Sequence, residues 1–131
     1  MFISRIQVER AGSEPAFTPE ELGRAKTAVL EICRDARFSA RTSEPFDPAP
    51  SGYSEFVACE GKDSEQDTVS VSGQTRNGRR EIIVTVADFA RGEPLPSTRE
   101  MLDDLRIALE QAFPESHVEV TRNDKSKLFG P

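Results

Sequence analysis

The chain has no tryptophan, a single tyrosine, one histidine and two cysteines in 131 residues. Each scarcity removes a class of chemistry. One imidazole and two thiols cannot build a four-ligand zinc site, and Cys33 and Cys59 are not spaced as a C-x-x-C pair. A nucleophilic triad needs a nucleophile, a base and a group that orients the base. Only His117 is available as an imidazole base, and neither a G-x-S-x-G elbow nor a glycine-rich phosphate loop occurs. No apolar run approaches the roughly 18 residues that cross a bilayer. Positive charge is also short: 17 basic residues against 23 acidic ones leave a net charge of -6. That balance argues against nucleic acid, whose phosphates demand a basic surface, and against anionic membranes.

What is present suits one small acidic domain. A chain of 131 residues with 36% hydrophobic content fills one core, and its eight phenylalanines supply much of the bulk. Residues 2–9 alternate weakly, with Ile6 and Val8 on one side, as an ordered arm or a short first strand. The segment from Ala11 to Pro15 reads as a linker. The expected layout is an arm and linker over 1–16, a single domain over 17–122, and a tail over 123–131.

Thr18-Pro19-Glu20-Glu21 forms a capping box with proline at the first helical position, and Phe17 and Leu22 stand as a hydrophobic staple. Leu22, Ala25, Val29, Ile32 and Ala36 follow at helical spacing, with Cys33 at the margin of their stripe. From Phe38 to Gly52 the prolines at 45, 48 and 50 predict a loop of about fifteen residues, with Phe46 as its anchor.

Two strands follow, over 53–60 and 68–74. Asn77-Gly78 predicts a two-residue turn, because both positions accept positive φ. That turn sets a register in which Val71 pairs with Val84, Val69 with Val86, and Ser72 with Ile83, leaving the valines on one face. Ser97-Thr-Arg-Glu100 reads as a second capping box, and Met101, Leu102, Leu105, Ala108, Leu109, Ala112 and Phe113 line one helical face up to Pro114. Val118 and Val120 mark a last short strand.

The expected class is α+β: a mostly antiparallel sheet of three to five strands with two amphipathic helices packed on it, in the order (β)-α-β-β-β-α-β. A right-handed return through the second helix sets the last strand parallel to the third. If residues 2–9 join the sheet, the arrangement becomes ferredoxin-like, with one strand too many in the meander.

Among candidate sites, Cys33 and Cys59 pair as a disulfide if the protein is exported, worth roughly 3.5 kcal/mol by loop closure. In the cytoplasm they are two small buried hydrophobes. Asp63, Glu65 and Asp67 alternate like the start of a calcium loop, but Thr68 stands in place of the turn glycine and Gln74 in place of the closing glutamate. An acidic turn is expected there, with no metal and no cofactor. Arg76, Arg79 and Arg80 gather at the hairpin tip, where guanidinium forks suit a carboxylate or phosphate. Ile83, Ile107 and Leu30 depart from their apolar patterns and are candidates for an interaction surface.

The sequence thus points first to a non-catalytic module that binds another protein. An exported or lipid-anchored bacterial envelope protein with Cys33 and Cys59 bridged is the alternative. A thiol enzyme using His117 is the third reading. Residues 1–10 lack an apolar leader, so the chain as written reads as cytoplasmic; a signal upstream would make it periplasmic or envelope-anchored.

Overall fold

The structure is a computed structural model that describes residues 1–10, 14–43, 53–90 and 93–124. Its elements are β1 (Phe2–Glu9), α1 (Pro19–Asp35), β2 (Ser39–Thr42), β3 (Tyr53–Lys62), β4 (Thr68–Arg76), β5 (Glu81–Asp88), α2 (Pro96–Ala112) and β6 (His117–Asp124). They build an α+β domain with one six-stranded antiparallel sheet, in the order β2-β3-β4-β5-β1-β6. Both helices pack on the same face of the sheet: α1 over β2, β3 and β4, and α2 over β1 and β6.

α1 begins as its capping box dictates. The Glu21 amide donates to Thr18 Oγ1 at 3.1 Å, and the Thr18 amide donates to Glu21 Oε1 at 3.0 Å. Phe17 and Leu22 are both buried, as a staple requires. The Arg10 guanidinium lies 4.6 Å above the Phe17 ring and pairs with Glu21. Phe17 meets Phe113 edge to face at 5.2 Å. The first turn of α1 is therefore clamped to the end of β1 and the end of α2 at once.

The optional first strand forms, and a sixth strand, beyond the expected three to five, is added at the sheet edge. Residues 2–9 form β1, an interior strand paired antiparallel with both β5 and β6, so Ile6 and Val8 are core residues. In addition, the expected loop from Phe38 begins as a strand. Ser39–Thr42 pairs with β3, Ala40 opposite Cys59 and Thr42 opposite Val57. All four residues of β2 are exposed, so no apolar alternation announces it. Phe46 and the three prolines around it lie outside the described residues.

β6 points the same way as β5, as the crossover through α2 requires, but β1 lies between the two. The unit β4-β5-β1-β6 with its two helices has the ferredoxin-like split βαβ order, and β2 and β3 extend it at one edge. β6 also takes in residues 122–124, which the sequence assigns to the end of the domain and the tail.

The β4–β5 register departs from expectation by two residues. Val71 faces Val86, Gly73 faces Val84, and Val69 faces Asp88. The connection is a four-residue loop rather than two: Asn77, Gly78 and Arg79 all take positive φ, and the Arg80 amide donates to the Asn77 carbonyl at 3.2 Å. Contacts from elsewhere hold this longer loop. Phe17 N–H donates to the Arg79 carbonyl at 2.8 Å, and Arg10 N–H to the Arg80 carbonyl at 3.3 Å. Because side chains alternate with period two, a two-residue shift leaves every valine on its face. Val69, Val71, Val84 and Val86 are all buried.

Phe56 is an extra residue that bulges β3 between Glu55 and Val57, so that Phe56 and Val57 are both buried. Gly73 makes room for it: a Cβ there would stand 2.7 Å from Val57 Cγ1 and 2.9 Å from Phe56 Cζ.

The second capping box does not form. Pro96 occupies the first helical position and makes Leu95 the N-cap, with no side-chain bond to cap the turn. Ser97 and Glu100 therefore fall inside α2. Asp88, fully buried at the end of β5, anchors this turn instead: Oδ2 accepts from Thr98 Oγ1 at 2.8 Å and Oδ1 from the Ala90 amide at 2.9 Å. Met101, Leu102, Leu105, Leu109 and Phe113 are buried on the expected face. Among the described residues, no helix is long and apolar enough to cross a membrane.

Candidate functional site on the helix-free sheet face

With both helices on one side, the other face of the sheet can be read as cross-strand rows. One row runs Arg41, Ala58, Ser72, Thr85, Arg5, Thr121 from β2 to β6. The next runs Ser39, Glu60, Ser70, Ala87, Ile3. Over β2, β3 and β4 these rows form an open trough of about 610 Å³, lined by Ala58, Ser70 and Ser72 together with Arg41, Glu55, Glu60 and Lys62. The trough owes its depth to short side chains on its floor and long ones around it. Arg41 and Glu55 pair across it at 3.6 Å, and Lys62 Nζ donates to Thr68 Oγ1 at 2.8 Å. Charges of both signs thus surround a neutral, hydroxyl-bearing floor.

The opposite end of the face carries a row of ionisable groups: Arg76, Glu81, Glu9, His117, one each from β4, β5, β1 and β6. Arg76 Nε donates to Glu81 Oε2 at 2.6 Å. Gln7 Nε2 donates to Glu9 Oε1 at 2.9 Å and to Glu81 Oε1 at 3.1 Å, tying the carboxylates together. The hydrogen bond from Arg76 holds Glu81 below the usual carboxylate range. The hydrogen bond to Glu81, with lost hydration and the neighbouring charge, pushes Glu9 up. His117 itself is exposed, 3.7 Å from Glu119.

Two arginines of the hairpin tip are engaged within the protein. Arg76 is engaged by Glu81, and Arg80 Nη1 donates to the Glu14 carbonyl at 2.6 Å. Arg80 thereby ties the tip to the segment before α1. Ile83 lies on the helix-free face as expected but is only 6% exposed, between Gln74 and Gln7. Ile107 is 39% exposed on α2, on the other side of the molecule, so the two do not form one patch. Leu30 packs against the core. Phe89, 50% exposed after β5, is an apolar residue that the sequence pattern does not single out.

The acidic turn is self-contained. Asp63 Oδ1 accepts from the Glu65 amide at 2.8 Å and the Asp67 amide at 2.9 Å, and Gln66 takes positive φ. Among the described residues, no group of three His, Cys, Asp or Glu side chains could hold a metal ion.

Cys33 and Cys59 are both free thiols, at 0% and 2% exposure in the core. α1 directs Cys33 toward β3, and the two sulfurs lie within hydrogen-bonding reach of each other. The bond to Cys59 and burial together push the Cys33 thiol up, so it stays protonated at neutral pH. His117 lies on the far side of the sheet, and four strand spacings put it roughly 19 Å from β3. The structure brings together no thiol–imidazole pair.

Two features of this region escape sequence reasoning. The trough requires β2, which has no apolar period, and the Asp88 anchor joins residues that belong to different elements. The chain matches no protein-family model, and no curated protein is significantly similar to it.

Proposed function

We propose that this domain is a non-catalytic module that binds a protein partner on the helix-free face of its sheet. The trough floored by Ala58, Ser70 and Ser72 is its seat. One observation carries the reading: one face of a six-stranded sheet is left without a helix, and there short neutral residues are ringed by Arg41, Lys62, Glu55 and Glu60. Such a mixed ring suits a polar polypeptide carrying both signs of charge, and it suits a phosphate polymer poorly.

The test compares immobilised wild-type domain with Ser72→Trp, whose indole fills the trough from a position on the solvent side of the sheet. Both proteins are first shown to share one melting midpoint. The expected result is a protein retained by wild type, released by competing free wild-type domain, and at least tenfold weaker in binding to the variant. Equal retention by both proteins would exclude the trough as the binding seat.

A further inference from the structure

We infer that Cys33 and Cys59 are a redox-closable staple, a dithiol that a small-molecule disulfide converts into an α1–β3 disulfide within the native packing. They are the only cysteines of the chain, and the fold places them against each other across a helix–sheet interface. Two core positions that needed only small apolar filling would be served by alanine or valine; here both carry sulfur, and the sulfurs meet. Their backbones are held on every side. Cys59 is laddered to Ala40 on β2 and Val71 on β4. Cys33 sits in the last turn of α1, where its carbonyl accepts from the Phe38 amide at 2.9 Å.

The exchange balances without help from other residues. One thiolate attacks an oxidant disulfide, forming a mixed disulfide and releasing one small thiol. The second thiolate then displaces the remaining small thiolate, which takes up a proton. Two protein thiols and one oxidant disulfide become one protein disulfide and two small thiols. Because both sulfurs are buried and Cys33 is kept protonated, attack waits on local opening. The short exposed strand β2, whose Ala40 pairs opposite Cys59 at the sheet edge, is the element whose opening admits the oxidant. The closed bridge encircles β2, residues 44–52 and the first part of β3, so it restricts the unfolded chain more than the folded one.

The experiment treats the full chain with excess oxidised glutathione, in buffer and in urea below the unfolding transition. Samples are quenched in acid, and thiols are counted after denaturation. The two free thiols should fall to none in a monomer lighter by two hydrogens, faster in urea. The melting midpoint should rise by about 10 °C, and dithiothreitol should reverse it. Cys33→Ala and Cys59→Ala, treated alike, should show no rise. Thiols that persist where the unfolded chain oxidises fully would overturn the inference. So would oxidation that ends in mixed disulfides or dimers, or a bridged monomer whose midpoint is unchanged or lower.

Discussion

The first turns of α1 and α2 are anchored by different means, although each follows a hydroxyl–x–x–glutamate run and a proline. At α1 the hydroxyl residue precedes the proline: Thr18 is the N-cap, Pro19 opens the helix, and Glu21 returns to the cap amide. At α2 the order is reversed. Pro96 precedes Ser97, so the helix opens one residue too early for the serine to cap it. The amides of Thr98 and Arg99 turn to the Leu95 carbonyl at 3.0 and 3.2 Å, and the Thr98 hydroxyl goes to buried Asp88. A carboxylate near a helix N-terminus is favourable in its own right, since the helix dipole is positive there. The comparison teaches that proline position decides which hydroxyl can cap, and that a side chain from a neighbouring strand can replace a missing cap.

Substitutions can break this contrast, and the largest effect belongs to Asp88. Asp88→Ala removes a buried acceptor of two hydrogen bonds and strands the Thr98 hydroxyl, and it should cost about 2–4 kcal/mol in urea unfolding. A loss under 1 kcal/mol would show that α2 does not depend on β5 for its start. Thr98→Val keeps the shape and removes the donor, with an expected cost of about 1–3 kcal/mol; wild-type stability would place Asp88 in another role. Thr18→Ala should cost about 1 kcal/mol, the usual value for a lost N-cap, together with reduced amide-exchange protection confined to the first turn of α1. Ser97→Ala and Glu100→Ala are expected within 0.5 kcal/mol of wild type. A Ser97 effect as large as that of Thr18 would mean that both boxes form in solution.

Local signals were readable wherever one segment contains all of its partners. Thr18, Pro19 and Glu21 are neighbours, so the cap of α1 follows from their order. The stripe Leu22–Ala25–Val29 and the face Met101–Leu105–Leu109 bury as their spacing implies, because a helix fixes which residues share a side. The Asn77-Gly78 signal located the turn correctly and missed its length. Phe17 and Arg10 bond to the tip from another part of the chain and stabilise a third positive φ at Arg79. For the candidate site, Ser70 and Ser72 were readable as the polar side of a strand. Their neighbour Arg41 was not, since β2 is four exposed residues with no apolar alternation to announce a strand.

The sequence by itself determined two amphipathic helices, the inward valines of β4 and β5, and the start of α1. Each depends on periodicity or on side-chain chemistry within a few residues. Only the tertiary structure decided that β1 lies between β5 and β6, that Asp88 holds α2, that the trough opens over Ser70 and Ser72, and that Cys33 touches Cys59. These are contacts between distant segments, and their free energy is realised only when the helices close over one face of the sheet and water leaves the core.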